Sequence, residues 1–170
     1  MVWPGGQNHR RDSPTSRVWG SYYRLEMANP LTTHSGWLTA NPPAAGSLNL
    51  SLAGIAERVR NGETFDYAVR EFLDEFALRG GDGVRLEAIE ERPQATGDRR
   101  WDAYLGALAE HLAAVHRLDR PEWSIEPERF LDRFWFVSDV PGFRAISIAQ
   151  APAAFRRRGV FIPERSLHRV

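Results

Sequence analysis

RRWDAYLGALAEHLAAVH, running from Arg99 to His116, is the stretch on which the fold turns. Trp101, Leu105, Leu108, Leu112 and Val115 recur at alternating intervals of four and three, with Tyr104 beside them, so a helix here is apolar along one whole side. Thr96-Gly97-Asp98 offers capping side chains just ahead of it. The spacing predicts a core-facing helix and makes it the central element of an all-α fold.

Toward the N-terminus the pattern stays helical. Ser51 is placed to cap a helix with the stripe Leu52, Ile55, Ala56 and Val59, Leu50 and Ile55 form a hydrophobic staple, and Asn61-Gly62 supplies the stop. Thr64 opens a second helix whose inner face reads Phe65, Val69, Phe72, Leu73 and Phe76. Asp66, Arg70, Glu71, Asp74 and Glu75 fall on its outer side. The two make a helical hairpin over 49–79. Gly80-Gly81-Asp82-Gly83 ends it, and Val84 to Glu91 reads as a short, acidic, helical connector before Pro93. Residues 1–48, rich in Pro, Gly, Asn and Ser and without either period, predict an irregular or partly disordered arm, odd only for Trp3, Trp19, Tyr22, Tyr23 and Trp37. A start at Met27 is the alternative reading of that region.

Toward the C-terminus, Trp123 follows Pro121 in a turn and is placed to close the core. Glu126-Pro127-Glu128 has the Pro and acids of a helix start, and the spacing carries that helix through Phe130, Leu131, Phe134 and Trp135. Pro141-Gly142 opens another over 143–150, with Ile146, Ile148 and Ala149. Pro152 restarts a short turn through Phe155 to Arg158, which Gly159 ends, and Val160 to Ile162 reads as extended, with Ser166, Leu167 and Val170 as a last turn. The sum is a single helical domain over 49–170 with five to seven helices and little strand.

With 42% apolar and 26% charged residues in 170, the chain belongs with globular proteins and is long enough for one domain with a real core. The absence of Cys excludes disulfides, thiolate zinc sites and thiol nucleophiles, and fits a reducing cytoplasm. No apolar run approaches the ~20 residues that span a bilayer, so no membrane partner is expected. Every basic residue is Arg, the mark of GC-rich bacterial coding.

No catalytic signature stands out, and the expectation is a protein that is not an enzyme and takes no cofactor. His111 and His116 are five apart, which turns their rings about 140° from each other, against a shared metal. Asp82, Glu87, Glu90 and Glu91 lack the spacing of a calcium loop and read as a solvated face. The glycine cluster at 80–83 follows a helix and lacks the Lys-Ser/Thr of a phosphate loop.

Charge is zero overall but segregated. Residues 141–170 hold six Arg against one Glu, net +5, whereas 49–92 hold ten acids against six Arg, net −4. Arg156, Arg157 and Arg158 stand out. Each guanidinium can grip a carboxylate or phosphate with two parallel hydrogen bonds, on a partner or on the acidic helices of the same chain. Phe155, Val160 and Phe161 beside them read as core. The partner-binding candidates are therefore these three arginines, with Glu71, Asp74 and Glu75 on the outer face of the second helix.

The run from Glu128-Arg-Phe-Leu to Phe134-Trp-Phe, then Pro152-Ala-Ala-Phe155-Arg-Arg-Arg158-Gly-Val-Phe161 and Leu167-His-Arg-Val170, resembles the C-terminal part of a bacterial family of small regulators. These are the Xre-type or antitoxin-like proteins encoded beside a nucleotidyltransferase-like toxin of the AbiEii type. The resemblance covers the chain from Thr96 onward. It implies a cytoplasmic, non-catalytic protein that binds and neutralises a cognate toxin from a neighbouring gene, with DNA as the alternative partner of an autoregulating repressor. Xre-type members carry an N-terminal helix-turn-helix domain, where this chain has only the Ser51 to Leu78 hairpin. Its acidic outer face is a poor match to DNA phosphates and suits a basic nucleotide-binding cleft.

Overall fold

A hydroxyl and a carboxylate set the starts of two of the main helices in the computed structural model, which describes residues 50–168. The arm expected over 1–48 and the final residue of the expected last turn lie outside them. Ser51 Oγ accepts the Gly54 N–H at 3.0 Å and starts helix α1, Leu52–Arg60. Asn61 caps its end, and Gly62 takes the positive φ of +98° that the turn requires. Helix α2, Phe65–Leu78, follows with Thr64 extended before it but without a side-chain cap bond. The connector is helical as expected, α3, Asp82–Glu90, with its three carboxylates and that of the following Glu91 exposed.

Helix α4, Arg99–His116, is the centre. Asp98 accepts the Arg100 N–H at 2.8 Å, and Asp102 Oδ1 accepts both the N–H and the hydroxyl of Thr96 at 2.9 Å. Residues 102–109 are all buried, so the helix is enclosed on nearly every side and not along one stripe. Ala103, Gly106, Ala107 and Ala109 are the small residues that let neighbours close in. The stripe ends early: Val115, expected in the core, is half-exposed, because the last turn is met by α2 on another side, where Phe76 packs edge-on against His116. Phe65 stacks on Trp101 at 5.2 Å and meets Tyr104 edge-on, locking the hairpin to α4. Trp123 closes the core as expected, donating from Nε1 to the Glu90 carbonyl at 2.9 Å.

The region after Glu126 departs from expectation. Its helix stops after a single 3-10 turn, Pro127–Arg129, and the chain extends from Phe130 into strand β1, Trp135–Phe136. This strand pairs in parallel with β2, Val160–Phe161, with Trp135 opposite Val160 and Phe136 opposite Phe161. The competing bonds explain the change: the N–H groups of Leu131, Trp135 and Val137 donate to the carbonyls of Arg158, Gly159 and Phe161 at 3.1, 2.7 and 3.1 Å. A run of aromatic residues suits the extended form once a partner strand is present. Between the strands lie α5, Arg144–Gln150, and the short α6, Ala153–Arg156. The described residues thus form six α-helices with strand confined to that one pair, around a single cluster reaching from Leu52 to Leu167. No described helix is long and apolar enough to cross a membrane.

Candidate functional site

The three consecutive arginines separate by depth. Arg158 is 0% exposed: Nη1 donates to the Ala154 carbonyl at 2.7 Å, Nη2 to the Ser124 carbonyl at 2.6 Å, and the guanidinium lies 4.9 Å over the Phe130 ring. Glu110 Oε2 is 2.5 Å from a terminal nitrogen of both Arg157 and Arg158, so one carboxylate serves two guanidinium groups. Arg157 is exposed and reaches over the same Phe130 ring; Arg156 is exposed. Of the three candidate partner-binding arginines, Arg158 is corrected, because it pairs inside its own chain. Its face was set by Phe155, a buried residue one helical turn earlier. Burial pushes the Arg158 guanidinium below its ordinary value, against the pull of Glu110.

Arg129 is a second core arginine, one that the sequence reading does not single out. Its Nη2 donates to the Pro93 carbonyl at 2.6 Å, Nη1 lies 3.7 Å from Asp102, and the guanidinium stands 5.1 Å over Trp123. No local pattern marks it, since its acceptors come from segments far away in sequence.

On the outer side of α2, Asp74 is exposed and Glu71 and Glu75 half-buried. Glu71 and Glu63 both pair with Arg58, whose guanidinium holds the Glu63 carboxyl below its ordinary range. Tyr67, Glu71, Asp74 and Leu78 follow at intervals of four, three and four and share one face. Tyr67 is 47% and Leu78 81% exposed, so two large apolar side chains bracket the acids. Neither Tyr67 nor Leu78 carries a charge or breaks the helical period, and only exposure reveals them.

The two histidines do not converge. His111 is buried edge-on to Phe155 and His116 faces Phe76. Among the described residues no three His, Asp or Glu side chains are grouped to hold a metal ion.

Comparison with protein-family models, with curated proteins and with solved structures gives no match. The surfaces themselves therefore carry the functional reading. Among the described large apolar side chains outside α2, Phe134 is the most exposed, at 75%, and lies edge-on to Phe161 at 5.3 Å. Phe161 stacks on Phe136 at 5.1 Å, and Arg144 covers Phe136 at 5.4 Å. Phe134, just ahead of β1, is thus the exposed end of an aromatic row whose other rings, Phe136 and Phe161, are half-buried and buried.

Proposed function

We propose that this is a non-catalytic, antitoxin-like protein that neutralises a nucleotidyltransferase-like toxin encoded by a neighbouring gene, by laying the outer face of α2 over the toxin's basic nucleotide-binding cleft. The observation that carries the reading is the pairing on that face of acids, Glu71, Asp74 and Glu75, with the exposed Tyr67 and Leu78. Apolar anchors bordered by charge are the anatomy of a binding patch. The acids complement a site built for phosphates. The resemblance of the C-terminal sequence to antitoxin-like proteins supplies the identity of the partner.

Co-expression with the neighbouring gene product, with pull-down and growth rescue, tests it. The expected outcome is a stable complex that restores growth, weakened about 30-fold or more by Leu78→Asp, in the range of an interface hot spot. The absence of both complex and rescue would overturn it.

The second reading is a DNA-binding regulator of its own operon, favoured by the net +5 of residues 141–170. With Arg158 buried, Arg156 and Arg157 are the members of the triplet able to reach a phosphate. A mobility shift on upstream DNA that survives Arg156→Ala/Arg157→Ala would remove them as its basis.

A further inference from the structure

We propose that the outer side of β1 is a stacking platform for single-stranded nucleic acid, with Phe134 as the exposed ring and Arg133, Arg144 and Arg156 as the phosphate grips. The rings form a continuous series: Phe134 on Phe161, Phe161 on Phe136, and Arg144 over Phe136, at 5.3, 5.1 and 5.4 Å. The parallel pairing of Trp135 with Val160 and Phe136 with Phe161 backs the row, so the rings stand on a fixed element. Arg156 ends α6, and its carbonyl accepts the N–H of Gly159, the residue whose own carbonyl accepts the Trp135 N–H beside Phe134.

Charge selects the occupant. Arg133, Arg144 and Arg156 are exposed, and among the described residues none has a carboxylate within ion-pairing distance. The opposing acids are fewer or engaged: Asp132 pairs with Arg99 at 3.5 Å, and Asp139 faces both Arg100 and Arg144. An apolar protein surface seated on Phe134 would strip water from these guanidinium groups and give nothing back. A polyanion pairs them while a base covers Phe134, and Arg144, 5.4 Å over the Phe136 ring, extends the stacking surface. A single strand is required, since a duplex keeps its base faces inside and offers Phe134 only backbone. With no net charge on the chain, association is short-ranged and sensitive to salt.

Fluorescence anisotropy of the full chain with labelled oligothymidylate and oligouridylate of about twelve nucleotides, within the usual range of site sizes, tests the platform beside a duplex of equal length. Saturable binding of a single strand, tighter than the duplex, is expected at about 50 mM salt. Phe134→Ala should weaken it about tenfold and Phe134→Tyr, which keeps the ring, should restore it. Arg133→Ala/Arg144→Ala should flatten the dependence of affinity on salt. Phe134 is exposed enough for these variants to keep the parent melting temperature. Absence of binding to both oligonucleotides, equal binding by Phe134→Ala, or preference for the duplex overturns the proposal. So does a Phe134→Ala variant that loses the neighbour-encoded protein and keeps the oligonucleotide, which would assign the row to a protein partner.

Discussion

A guanidinium sealed from water must find acceptors inside the protein, and Arg158 finds two carbonyls, a carboxylate and an aromatic face. Truncating it leaves the Ala154 and Ser124 carbonyls without a donor and opens the space over Phe130, while Arg157 still neutralises Glu110. Arg158→Ala is expected to destabilise the fold by about 3 kcal/mol, the scale of breaking a buried charged network. Arg156→Ala, on an exposed side chain two residues away, is expected to stay within about 0.5 kcal/mol. Urea unfolding of the two variants measures the difference, and equal midpoints would sink the assignment of Arg158 to the core. Three identical letters gave no sign of this division by composition. The usable sign was periodicity, because Arg158 follows the core residue Phe155 by three.

Gly106 shows how closely the C-terminal turns press on α4. A Cβ there would stand 2.9 Å from Arg129 Cβ and 3.2 Å from the Ser124 carbonyl oxygen, neither of which is the loose end of a side chain. Alanine in place of glycine inside a helix ordinarily gains about 1 kcal/mol. Here overpacking is expected to outweigh that gain and leave a net loss of about 1–2 kcal/mol. Thermal unfolding of Gly106→Ala decides it: a higher melting temperature would mean that the turns yield easily. The same turns mark where the sequence was legible and where it was not. Helices α1 and α4 carry their own caps and periods, so Ser51, Asn61-Gly62 and Asp98 bound them correctly, and α2 is marked by its period alone. Glu126 to Trp135 carries a helix start too, but its backbone is claimed by the carbonyls of Arg158 and Gly159, 27 residues after Leu131 and 24 after Trp135, which no local window contains. The candidate surfaces divide likewise. The acids of α2 were legible as charge on an amphipathic face, whereas Phe134, Tyr67 and Leu78 are marked only by what fails to cover them.

Because one cluster runs from Leu52 to Leu167, loss of its packing at any point is felt by the whole molecule, and its response to acid is expected to be cooperative. The buried imidazole of His111 is the group that starts that response. Burial depresses its pKa below the ordinary 6.5; Glu164 pulls the other way, while His168 and His116 add to the depression. His116 is lowered as well, by burial and by Arg85, against Asp82. A histidine that is harder to protonate folded than unfolded leaves the unfolded chain with more protons, so stability rises with pH across the interval between the depressed value and 6.5 and is lost as pH falls through it. Glu63 adds a second loss at lower pH. Arg58 holds its carboxyl below the ordinary 4.5, and protonation removes that stabilisation as pH falls further. Melting temperature followed from about pH 7.5 to about pH 4 should therefore fall in two stages. His111→Phe, which keeps a ring against Phe155, is expected to flatten the first stage in part, His116 supplying the remainder, and to leave the second in place. An unchanged slope below pH 6.5 in that variant would show that His111 takes no part in the first stage and would leave that stage to His116.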